Sequence, residues 1–177
     1  MAKSKKTRRP KRSKPLVGVV MGSPSDAETM QRCADQLAAF GIAHEMRILS
    51  AHRTPAAAHA YAASAQRRGL KAIIAGAGMS AALAGAIAAE TTLPVIGVPI
   101  CSGPLKGVDA AVSSLQMPPG VPVACMSIGP AGAINAAILA AEILALDDSV
   151  LAEMLRKFKQ AQAVSVKQKD TALRRCK

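Results

Sequence analysis

Tryptophan is absent from this 177-residue chain, and only three other aromatic side chains occur, Phe40, Tyr61 and Phe158. A core built on large rings is therefore excluded. Alanine, glycine and valine take their place, and small side chains let helices approach sheets and one another closely. No apolar run reaches the ~18 uninterrupted residues that a membrane-spanning helix needs. The longest apolar stretch, 131–146, is broken by Asn135 and Glu142. The basic N-terminus is not followed by an apolar segment, so a secretory signal is not expected. The four cysteines (Cys33, Cys101, Cys125 and Cys176) show no paired metal-ligand spacing and no disulfide framework. Reduced thiols in a reducing, cytoplasmic compartment are the expectation.

Acidic residues are missing from 1–15, which carries eight Lys/Arg, and nearly so from 156–177, where eight Lys/Arg face Asp170 alone. The overall charge of +12 thus resides at the two ends. Between them, residues 16–155 keep seven basic side chains against ten acidic ones and are mildly acidic. Residues 1–15 have no periodicity and read as a disordered basic tail. Residues 16–147 read as one α/β domain, and 148–177 as a C-terminal helix and basic tail. Such tails could contact a polyanion weakly by counterion release. A solvated arm is the plainer reading.

In the middle region, apolar runs alternate with helical patterns. Leu16–Met21 is continuous rather than alternating, as in a strand buried on both faces. A helix over about 26–40 keeps Met30, Cys33, Ala34, Leu37 and Ala38 at three-four spacing, with Ser25 or Asp26 as its cap and Gly41 ending it. Strands are expected at 43–49, 72–75, 94–99 and 121–126. Helices are expected at 55–68, 80–90, 108–116 and 130–146, with another from about 148 to 162 before a frayed end. Five strand–helix alternations predict a five-stranded parallel sheet covered by helices on both faces.

Polar clusters stand at the strand ends, where ligands bind in open parallel sheets. Gly22-Ser23-Pro24-Ser25-Asp26 joins a strand to a helix N-terminus, where backbone N–H groups favour a phosphate and a carboxylate could hold ribose hydroxyls. It is not a P-loop, because no lysine follows. Ser50-Ala51-His52-Arg53-Thr54-Pro55 pairs a permanent cation, suited to gripping phosphate, with a ring that moves protons near neutral pH. Gly76-Ala77-Gly78-Met79-Ser80 is read as a third strand-end loop, whose glycines let backbone approach a flat ligand. His44 and His59 read as ordinary structural or solvated residues.

GSPSD, SAHRTP, AGAG, TTLPVIGVP, SSLQMPPGVPVA and AINAAILAAEIL stand in order over about 17–147. Together they resemble the N5-carboxyaminoimidazole ribonucleotide mutases, also described as the catalytic subunit of phosphoribosylaminoimidazole carboxylase. The resemblance implies a three-layer, flavodoxin-like (Rossmann-like) fold and a homo-octamer. It implies His52 as the general acid/base, with Arg53 on phosphate and Asp26 on ribose. The substrate site it implies takes in Ser23, Ser25, Asp26, Ser50, Arg53, Ala77, Gly78, Met79 and Leu83. It implies a purine-biosynthetic isomerase that needs no cofactor, metal or membrane partner, with a ribonucleotide and carbon dioxide as ligands.

One stretch departs from the commoner form of that family, whose third loop carries a second histidine. Here Ala82 stands at that position and Ala84 replaces a proline. The related class that carboxylates aminoimidazole ribonucleotide directly (a lyase) also lacks that histidine and has Met-Ser after the glycine, as Met79-Ser80 does here. Direct carboxylation is therefore the alternative activity, and a non-catalytic phosphate-binding paralogue is a further one.

Overall fold

The computed structural model describes residues 14–175. Residues 1–13 of the expected 1–15 tail, together with Cys176 and Lys177, lie outside that range. Five parallel strands form one sheet in the order β2-β1-β3-β4-β5, with β1 at Val17–Met21, β2 at His44–Ile48, β3 at Ala72–Gly78, β4 at Val95–Ile100 and β5 at Ala124–Cys125. The helices are α1 (Ala27–Ala39), α2 (Pro55–Arg68), α3 (Leu83–Ala88), α4 (Val108–Leu115), α5 (Pro130–Leu144) and α6 (Ser149–Arg175). This strand order is that of flavodoxin-like sheets, whose direction of winding reverses between β1 and β3.

Every residue of β1 and β4 is buried, as continuous apolar runs require when helices cover both faces. Val17, Val19 and Met21 point to one side, with Ile74, Ile96 and Val98, and pack against α1, α5 and the start of α6. Val20, Ile73, Ala75 and Val95 point to the other side and meet α2, α3 and α4. The three-layer expectation is met, and small residues make it possible. Gly132, Ala133, Ala136, Ala137, Ala140 and Ala141 form the buried stripe of α5.

Several boundaries differ from expectation. The glycine-rich Gly76–Gly78 belongs to β3 rather than to a loop, and the loop begins at Met79. The last strand shrinks from 121–126 to two residues, because Pro122 offers no N–H to the ladder. The helix expected over 80–90 covers only 83–88. The final helix continues to Arg175 instead of fraying near 162. Its first half belongs to the body: Leu151 and Leu155 are buried, and Phe158 meets Phe40 edge-on with centroids 5.3 Å apart.

Candidate active site

The carboxyl ends of β1, β2, β3 and β4 open into one cleft of about 530 Å³. It lies at the reversal point of the sheet, where this class of fold places its ligands. All ten residues selected from the sequence line it: Ser23, Ser25 and Asp26 after β1; Ser50, His52 and Arg53 after β2; Ala77, Gly78, Met79 and Leu83 at and beyond the end of β3.

The β1 end is built by a short 3-10 turn, Pro24–Asp26, capped by Ser23 rather than by Ser25 or Asp26. Ser25 N–H donates to Ser23 Oγ at 3.4 Å, and Asp26 Oδ2 accepts from Ser23 N–H at 3.0 Å, closing a capping box. Ser25 Oγ lies 2.9 Å from Ser23 Oγ and 3.5 Å from Asp26 Oδ1. Asp26 is only 5% exposed. Burial pushes its carboxyl above the usual carboxylate range. The Ser23 N–H, the Ser25 hydroxyl and the Arg53 charge pull back without cancelling that rise.

The β2 end is a loop fastened to itself. Ser50 N–H donates to Thr54 Oγ1 at 2.9 Å, while Thr54 N–H and Oγ1 both donate to Ser50 O, at 2.9 and 3.1 Å. Arg53 N–H donates to Ser50 Oγ at 3.1 Å, and the guanidinium reaches across to donate through Nη2 to Gly22 O at 2.9 Å. Arg53 therefore ties the β2 loop to the β1 loop and sets a fixed positive charge between them. Exposed His52 sits one residue earlier on the same braced loop and faces the cleft.

The β3 end turns sharply at Met79, whose φ of 55° is left-handed and uncommon for a side chain of this kind. Its side chain rests against Gly103 of the loop after β4. That loop also brings Ser102 into the cleft, a residue absent from the sequence-based set, as are Ser80 and Ala82 beside it. A signal for Ser102 was present: the apolar run Val95–Ile100 ends in Cys101-Ser102-Gly103, the same pattern as at β1 and β2.

The other candidates fall elsewhere. His59 pairs with Glu90 at 3.0 Å, joining α2 to the end of α3, and His44 Nδ1 lies 3.0 Å from Ile42 O. Cys33 is a core thiol pushed up to about 12 by burial, so it is not a nucleophile near neutral pH. Among the described residues, no three His, Cys, Asp or Glu side chains gather as a metal site would need. No helix among them is long and apolar enough to cross a membrane.

A model of the AIR carboxylase family matches residues 16–165. The N5-carboxyaminoimidazole ribonucleotide mutase of Bacillus subtilis is 55% identical over 141 residues, covering 80% of this chain and 87% of that protein. The protein of that name from Brucella melitensis is 53% identical over 150 residues, covering 85% of this chain and 93% of its own. Among solved structures, Treponema denticola PurE superimposes with a TM-score of 0.80 at 33% identity, covering 90% of this chain and 98% of that one.

Proposed function

The chain belongs to the AIR carboxylase family, and from that membership we propose that it converts N5-carboxyaminoimidazole ribonucleotide to 4-carboxy-5-aminoimidazole ribonucleotide in purine biosynthesis. The observation that carries this reading is the single cleft in which a proton carrier, a phosphate-sized cation and a ribose-sized carboxylate meet at adjoining strand ends. Arg53 takes the phosphate beside the N–H groups of the Ser23–Asp26 turn. Asp26, held by Ser23, takes a ribose hydroxyl. The base then lies over the side-chain-poor Ala77-Gly78 tip, within reach of His52.

Chemistry follows from one proton shuttle. The His52 imidazolium protonates the exocyclic nitrogen of the carbamate, the C–N bond breaks, and carbon dioxide departs from a neutral aminoimidazole. The electron-rich ring carbon attacks that carbon dioxide, forming the C–C bond. The now neutral imidazole removes the proton from the same carbon, which restores the aromatic ring and the imidazolium. Nothing is consumed, as an isomerisation requires. A positioned acid–base group contributes typically ~10²–10⁴-fold, and retention of carbon dioxide supplies the proximity.

Carbon dioxide escapes from an open cleft, so the site needs a cover. Leu105, Val108, Val112 and Leu115 are each more than half exposed on α4 and the loop before it, which starts from the cleft. Such a patch suits burial against further copies of the chain, and we propose that those copies form the homo-octamer that the sequence resemblance implies. Sedimentation at eight times the chain mass of 18.1 kDa tests it. A cytoplasmic location fits the free thiols Cys33, Cys101 and Cys125.

Direct carboxylation of 5-aminoimidazole ribonucleotide is the competing activity. The mutase name carried by relatives at 53–55% identity weighs against it. Purified protein assayed with each ribonucleotide, with and without bicarbonate, decides between them. The mutase converts the carbamate without added bicarbonate. Turnover confined to aminoimidazole ribonucleotide with bicarbonate would reverse the assignment.

A further inference from the structure

We propose that Ser102 is a further substrate-binding residue, whose hydroxyl holds the carboxyl group that the reaction moves. The proposal rests on the mutase reading of the same cleft and names the group that handles its transferred fragment.

The cleft's hydroxyls divide by what they already do. Ser23 and Ser25 bond to each other and support Asp26. Ser50 Oγ accepts from Arg53 N–H and lies 3.4 Å from Arg53 Nε. Ser80 and Ser102 are the cleft serines whose hydroxyls meet no other protein group among the described residues; Ser80 is exposed, whereas Ser102 is half-buried in the opposite wall. A half-buried hydroxyl with no partner in the protein is free to bond what fills the cavity.

Space has been kept for that hydroxyl. A Cβ added at Gly78 would lie 1.9 Å from Ser102 Oγ and 3.1 Å from its Cβ. Gly78 does not use the left-handed backbone region that would otherwise call for glycine. What the position requires is the missing side chain, and the group that occupies the freed volume is the Ser102 hydroxyl. Around it, Met79 packs on Gly103, while Lys106 N–H donates to Gly103 O and Val108 N–H to Leu105 O. The loop after β4 is thus fastened to itself and rests on the β3 loop through Met79.

Position in the sheet says which part of the substrate meets it. Neighbouring strands lie about 4.8 Å apart. The order β2-β1-β3-β4 puts Ser102 roughly 14 Å along the row of strand ends from the β2 loop that carries Arg53. With the phosphate on Arg53 and the ribose on Asp26, the ring lies over the β3 end. Its exocyclic nitrogen and the acceptor carbon, between which the carboxyl group travels, are then the atoms nearest the β4 end.

A neutral donor also suits the task. The moving group is an anion in substrate and product but neutral carbon dioxide between them. A lysine or arginine there would favour the carboxylates over the intermediate and deepen the wells on either side of it. A hydroxyl holds the carboxylate by one hydrogen bond and costs little to release.

Binding of two ribonucleotides to wild type and Ser102→Ala, measured by calorimetry, tests this. The probes are 4-carboxy-5-aminoimidazole ribonucleotide and 5-aminoimidazole ribonucleotide, which differ only in the carboxyl group. Loss of one hydrogen bond to a charged group predicts about 10- to 150-fold weaker binding of the first. Binding of the second should change less than twofold. Equal weakening of both ligands, or of neither, would overturn the role of Ser102 while leaving the proposed function standing. Wild type that binds neither ribonucleotide would overturn the proposed function, and this inference with it.

Discussion

Replacing Asp26 by asparagine should weaken substrate binding and yet leave the fold no less stable at neutral pH. The side chain is 5% exposed, and its shape is kept by the substitution. In Asp26→Asn the amide oxygen would still accept the Ser23 N–H that Asp26 Oδ2 takes at 3.0 Å. The stability sign follows from the carboxyl being raised above its usual 3.8 by burial. Below that value both folded and unfolded chains are protonated at this site, and the two proteins should match. As pH rises from there through the folded-state value, the unfolded chain ionises first, so wild type loses stability that the variant keeps. The variant's advantage should therefore be absent at low pH and constant above the folded-state pKa. Function moves the other way. Oδ2 is committed to Ser23, and Oδ1 has only the long 3.5 Å contact with Ser25 Oγ, which leaves room for one ribose hydroxyl rather than two. One charged hydrogen bond corresponds to about 10- to 150-fold in affinity. Urea unfolding at a series of pH values, with titration of aminoimidazole ribonucleotide at pH 7, measures both. A variant less stable than wild type at pH 7, or one that binds as tightly, would refute the reasoning.

Three further outcomes follow from local geometry. Arg53→Lys keeps the charge but cannot reach Gly22 O and a phosphate together, so KM should rise at least about tenfold, as steady-state kinetics would show. Gly132→Ala would set a methyl 1.7 Å from Ser127 O, forcing α5 off the loop after β5; overpacking of this kind costs about 1–3 kcal/mol and should lower Tm by several degrees. Phe158→Ala removes the edge-on contact with Phe40 that pins α6 to the body, at about 2–3 kcal/mol for a half-buried ring, and should speed hydrogen exchange along α6 before it affects β1.

The parts of the fold that were legible are those where local chemistry and tertiary packing agree. β1 reads as a buried strand because no polar residue interrupts it. The bounds of α2 follow from Pro55 in its first turn and Gly69, whose φ of 99° ends it. The cleft was legible because apolar runs stop at polar clusters, and the parallel order brings those clusters to one edge of the sheet. Gly76–Gly78 misled because glycine usually marks a loop. Here it marks close approach inside a strand, with Met30 against Gly76 and Ser102 against Gly78. The far half of α6 could not be read from periodicity, since none of its residues is buried after Leu155. It is held by helix-favouring Ala, Gln, Lys and Arg and by pairs such as Arg174 with Asp170 at 3.1 Å. The β5 strand failed for the opposite reason: its valines promised a ladder that Pro122 interrupts.

Turnover of N5-carboxyaminoimidazole ribonucleotide by His52→Gln tests the central claim most directly. The exposed ring leaves no packing to lose, so unfolding should shift by less than ~0.5 kcal/mol. Binding of aminoimidazole ribonucleotide should stay within a few-fold, while the rate falls at least about 100-fold. A folded, substrate-binding variant that kept more than about a tenth of the wild-type rate would show that the proton travels by another group.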